Sequence, residues 1–110
     1  MILHICSKDS WNNAKDAGAY EGDTLSAEGF IHCSTPEQVT EVADYLFKGR
    51  KDLILLIIDD ENVNKEIKYE DAGNGKFYPH IYGSLNVDAV VKAVDFLPKN
   101  DGTFELPNLK

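Results

Sequence analysis

Three histidines stand out: His4 in ILHIC, His32 in GFIHCS and His80 in YPHIY. Each lies in a stretch that reads as a strand. With a strand's period of two, Phe30, His32 and Ser34 face one side while Ile31 and Cys33 face the other. Tyr78, His80 and Tyr82 line one face of a second strand, and Lys68 and Glu70 one face of a third. Brought together, these faces make a polar and aromatic cleft. Imidazoles change protonation near neutral pH and hydrogen-bond hydroxyls, phenols stack on flat rings, and a carboxylate orients or deprotonates a hydroxyl. That set suits a nucleoside-like ligand, with Trp11 as a further stacking surface.

Blander roles compete at every position. A half-buried strand histidine with one hydrogen bond is ordinary, a lone Glu70 is more often a solvated carboxylate, and Trp11 alone is more often a helix residue covering the core. Ser34 has no Asp–His pattern near it in sequence, so a hydrolase triad has no support. Three histidines and a water would make a catalytic zinc site, but HxH and HxxxH spacings are absent. Neither GxGxxG nor GxxxxGK[ST] occurs, and Gly73, Asn74 and Gly75 read only as a turn.

The elements that must position these residues follow from pattern. Residues 1–6 (MILHIC) read as a first strand with Ile2, His4 and Cys6 on one face. Ser10 and Asp9 are candidate caps for a helix through Trp11, Ala14 and Lys15 that ends at Gly18. AYEGDTLSAE, residues 19–28, reads as a loop into the strand at 29–33. Thr35, Pro36, Glu37 and Gln38 form a helix-start signature, followed by an apolar stripe of Val39, Val42, Ala43, Leu46 and Phe47 and a stop at Gly49. LILLIID, residues 53–59, is apolar on both faces, as a central covered strand would be. EIKYE (66–70) alternates, DAGNGK (71–76) is a turn, and YPHIY (78–82) is extended. Residues 84–88 read as a turn or short helical turn, and AVVKAVDFL (89–97) as a strand before Pro98. The sum is a single α+β domain over residues 1–110, with five or six strands in a small split or curved antiparallel-rich sheet and two helices in the first half.

The 110 residues carry a formal net charge of -8, which disfavours binding to a long nucleic acid. The first residues, MILHICSKDSW, do not read as a basic leader with an apolar run, and no segment approaches the roughly 18 apolar residues of a membrane span. A cytoplasmic protein without a membrane partner is expected. The two cysteines, Cys6 and Cys33, sit in apolar strands and fit reduced core thiols.

Trp11 with Ala14, the region of Gly18 and Tyr20, GFIHCST followed by Gln38, LILLIID, Tyr69–Glu70 and PHIYG (79–83) together resemble the small bacterial family known as domain of unknown function 952. The resemblance spans nearly the whole chain. It implies a likeness to the ADP-ribosyltransferase fold, in which two small sheets frame a cleft for NAD. ILHIC, with His4, is similar to the first-strand motif whose histidine bonds a ribose hydroxyl in such enzymes. GFIHCS is similar to the second motif strand, with His32 where many have tyrosine, a pattern nearer the RNA 2'-phosphotransferase branch. Glu70 or His80 falls in the third motif region. The chain departs from the family pattern in having Leu3 where tyrosine is common, Tyr69 where tryptophan is common, and Asp71–Ala72 in place of a Ser–Arg pair. The missing arginine removes a bidentate phosphate contact.

Two functions follow as expectations. One is an enzyme using NAD or a ribonucleotide, with Glu70 and His32 catalytic and His4, Ser34, His80, Tyr82 and Trp11 binding ligand. The other is a ligand-binding or protein-interaction module without chemistry. NAD is the candidate cofactor and a small nucleotide the candidate partner.

Overall fold

Leu53–Ile58 is buried at all six positions, and its alternate side chains enter two different cores. A strand apolar on both faces must be covered on both, and the surrounding elements do that. In the computed structural model, which describes residues 1–22 and 24–109, the elements in chain order are β1 (Ile2–Ser7), α1 (Lys8–Ala17), β2 (Ala19–Tyr20), α2 (Leu25–Glu28), β3 (Ile31–His32), α3 (Val39–Leu46), β4 (Leu53–Ile58), β5 (Ile67–Asp71), β6 (Phe77–Ile81), β7 (Leu85–Asn86) and β8 (Val90–Asp95). Single 3-10 turns lie at Asp60–Asn62 and Val87–Ala89.

The strands form three antiparallel sheets, ordered β1-β4-β8, β3-β6-β5 and β2-β7. On one side of β4, Leu53, Leu55 and Ile57 pack with Leu3, Val39, Ala43, Phe96 and Phe104. On the other, Ile54, Leu56 and Ile58 pack with Ile2, Trp11, Ile31, Ile81 and Leu85. The two three-stranded sheets touch through one antiparallel bridge, in which Leu3 N–H donates to Ser34 O and Ser34 N–H to Leu3 O, each at 2.7 Å.

The α+β class, the antiparallel sheets and the strands at β1, β4, β5, β6 and β8 agree with the sequence pattern. Other expectations are corrected. The α1 cap is Ser7, whose Oγ accepts from Ser10 N–H at 3.1 Å, because the helix starts directly off the end of β1. It does end at Gly18, which takes the left-handed conformation (φ 84°). The expected loop at 19–28 contains β2 and the one-turn α2, both too short to carry a period. Thr35 N–H donates to Gln38 Oε1 at 3.1 Å, half of the expected capping box. The first residues only form a hydrogen-bonded turn, so regular helix begins at Val39 and stops at Leu46. Leu46, expected in the buried stripe, is exposed. Among the described residues no helix is long and apolar enough to cross a membrane.

Candidate functional site

The three polar faces meet. Cross-strand register sets His32 opposite His80 and Lys68 opposite His80, so one row runs His32, His80, Lys68 across β3, β6 and β5. Ile31, Ile81 and Ile67 form the matching row on the buried face. Antiparallel partners share a face, so period-two alternation in three short strands is enough to separate core from site.

The histidine face forms one wall of a cleft of about 860 Å³, which lies between that sheet, the end of β1 and α3. His4, His32, Ser34 and His80 line it, with Tyr20 and Glu28 beside them and Val42, Tyr45 and Arg50 opposite. Two of these polar side chains are almost fully buried, Ser34 at 4% and His80 at 6% exposure. Neither Ser34 Oγ nor His80 Nε2 bonds to a described protein group, and neither is sealed from solvent. A buried polar atom without a partner is costly; here each opens on the cleft.

Each histidine is fixed by an acceptor that determines its tautomer. His4 Nδ1–H donates to His32 O at 2.5 Å, so Nε2 of the neutral ring accepts from Tyr20 O–H at 2.7 Å. His4 therefore lines the cleft with both ring nitrogens engaged. His32 Nε2–H donates to Glu28 Oε2 at 3.1 Å. The one-turn α2 makes this contact: Thr24 Oγ1 donates to Phe30 O at 2.9 Å, and Gly29, left-handed at φ 86°, turns the chain back toward Glu28. His80 Nδ1–H donates to Glu70 Oε1 at 3.0 Å. Phe30 stacks on the His80 ring at 4.2 Å and 20°, and meets His32 edge-on at 4.8 Å. The His32 and His80 rings lie 5.0 Å apart, nearly perpendicular.

Glu70 does not line the cleft. Its Oε1 accepts from Tyr82 O–H as well as from His80, and these two bonds, Tyr82's first, hold the carboxyl below the usual carboxylate range. The same bond holds the Tyr82 proton more tightly than in a free phenol. Tyr82 also lies outside the lining residues, with the Lys68 ammonium over its ring at 4.7 Å. Trp11 is in the core beside Ala14, 7% exposed, and so is not a binding surface of this cleft. Thus His4, His32, Ser34 and His80 share the cleft, Glu70 and Tyr82 stand beside it next to His80, and Trp11 is elsewhere.

The sequence pattern missed Tyr20, Glu28, Tyr45 and Arg50. Tyr20 lies in a two-residue strand with no periodic signal, and Glu28 meets His32 only because the chain turns at Gly29 between a one-turn helix and a strand, which no helical spacing reports. Arg50 is the lone arginine or lysine among the described lining residues, and Asp52 holds its guanidinium through two bonds of 3.0 and 2.7 Å. Among the described residues no group of three or more histidine, cysteine or acidic side chains is placed to hold a metal ion. Both cysteines are buried and neither is in a disulfide, and burial pushes the Cys33 thiol well up.

Residues 5–93 match the family described as "Protein of unknown function (DUF952)". The chain belongs to the DUF952 family. It is similar to protein CC0527 from Caulobacter crescentus, whose crystal structure superposes with a TM-score of 0.88 at 36% identity, over 96% of this chain and 93% of that one. A double mutant of CC0527 gives 0.87 and its solution NMR structure 0.84, at the same identity. No significant match is found among curated proteins. The CC0527 structures agree in fold with this DUF952 chain over 96% of its length.

Proposed function

We propose that the cleft binds a ribonucleotide-type ligand, NAD among the candidates, on a frame like that of ADP-ribosyltransferases. The observation that carries this is a pair of mostly buried residues, Ser34 and His80, in one wall of a cleft of about 860 Å³, with Ser34 Oγ and His80 Nε2 unbonded to described protein groups and open to solvent. Small-molecule sites have this size and composition, with apolar and aromatic lining and a few convergent polar atoms. Hydroxyl-rich ribose satisfies such atoms, and the lining tyrosines Tyr20, Tyr45 and Tyr78 suit a flat base. Arg50, the single arginine or lysine among the described lining residues and already held by Asp52, offers little to a pyrophosphate, so the base and ribose carry recognition.

The test is a thermal-shift screen against NAD, NADP, ADP-ribose, nucleotides and 2'-phosphorylated ribonucleotides, repeated with His32→Ala. A ligand at a hundred times its dissociation constant stabilises the fold by about 2.7 kcal/mol, or about 10 °C in a chain of this size. A shift that disappears in the variant supports the reading. No shift with any of these compounds, or equal shifts in both proteins, refutes it.

Glu70's place outside the cleft lining favours a second reading, a binding module without turnover. It predicts saturable binding and no product.

A further inference from the structure

We propose that His80 is the proton acceptor of the cleft, that Glu70 is its positioning residue, and that the acceptor substrate is a hydroxyl compound. The proposal rests on the nucleotide reading above and adds the residue that does the chemistry.

Glu70 does not line the cleft, and its Oε1 is taken by His80 and Tyr82. Its effect is relayed. With Glu70 accepting from Nδ1–H, the neutral His80 ring presents a lone pair on Nε2, the atom without a protein partner. Phe30, stacked on the ring, blocks rotation, and Tyr82 keeps the carboxylate in place from the far side. A nitrogen base held in one tautomer by a carboxylate behind it is the arrangement that activates a hydroxyl. Ser34, mostly buried in the same wall with its Oγ unbonded to described protein groups and open to solvent, can hold that hydroxyl by donating or accepting.

The step balances without a further reagent. The acceptor's O–H bond breaks and its proton goes to His80 Nε2, with Glu70 facing the imidazolium that forms. The freed oxygen pair bonds to the ribosyl anomeric carbon of NAD. The bond from that carbon to the pyridinium nitrogen breaks, its electron pair stays on nitrogen, and nicotinamide leaves neutral. A neutral leaving group needs no acid, so one base suffices.

Two measurements test this. Nitrogen-15 NMR of the histidine rings reads the tautomer without any ligand: the neutral His80 ring is expected as Nδ1–H, with Nε2–H gaining population in Glu70→Leu. An Nε2–H ring in the unsubstituted protein overturns the proposal. Nicotinamide release from NAD, with water or methanol as acceptor, reads the chemistry. His80→Gln is expected to lower it by roughly 10²–10⁴-fold, the usual contribution of a general base, and Glu70→Asp to recover part of what Glu70→Leu loses. Binding of NAD or ADP-ribose without nicotinamide release overturns the base role and leaves the binding reading intact. Failure of both ligands to bind overturns the two together.

Discussion

Replacing Leu55 and Leu56 of β4 by alanine, one at a time, tests whether a single strand divides two cores. Both side chains are fully buried, Leu55 against Leu3, Val39 and Phe96, and Leu56 against Ile2, Trp11 and Ile81. Removing a buried leucine side chain costs about 3–4 kcal/mol, the sum of lost transfer free energy and the void left behind. At about 2.1 cal/mol/K per residue, the unfolding entropy of 110 residues is about 0.23 kcal/mol/K, so each variant should melt about 13–17 °C lower. Thermal and urea unfolding followed by circular dichroism measure this, with an unchanged urea slope showing that the unfolded reference is the same. In a sheet with one wet face, neighbouring positions would differ sharply. A loss under about 1 kcal/mol at either position would refute the two-core argument.

Acid sensitivity should reveal the Tyr82–Glu70–His80 group. The folded carboxyl lies below its unfolded value of about 4.3, so its contribution is complete above that pH and is lost as the pH falls through the folded value. The melting-point difference between the unsubstituted protein and Tyr82→Phe should therefore be largest above about pH 5 and shrink on acidification; a constant difference down to pH 2 would count against the bond. Trp11, the single tryptophan, should emit at short wavelength and resist acrylamide quenching in the folded protein. Direct quenching by a cleft ligand would return Trp11 to the site.

The parts of the site legible in the sequence were those written in strand alternation. His32 with Ser34, His80 with Tyr82, and Lys68 with Glu70 each reveal a face through period two, and antiparallel register then assembles those faces. LILLII revealed its central place because no residue in it tolerates water. What stayed hidden depends on tertiary placement. Trp11 fits both the core and the cleft on a helical pattern, and only the packing of α1 against the first core decides. Glu70 shares a face with His80, but the bonds that hold it outside the cleft depend on the positions of two side chains, His80 on β6 and Tyr82 just past its end. β2, β7 and α2 span two, two and four residues, below the length at which a pattern exists.

The backbone bridge between Leu3 and Ser34 separates mechanics from chemistry. Peptide groups at residue 34 join the sheets, and its hydroxyl has no structural duty. The wall therefore keeps its shape whichever small side chain stands there. Position 34 is a socket in which ligand preference can change while the scaffold around it stays the same.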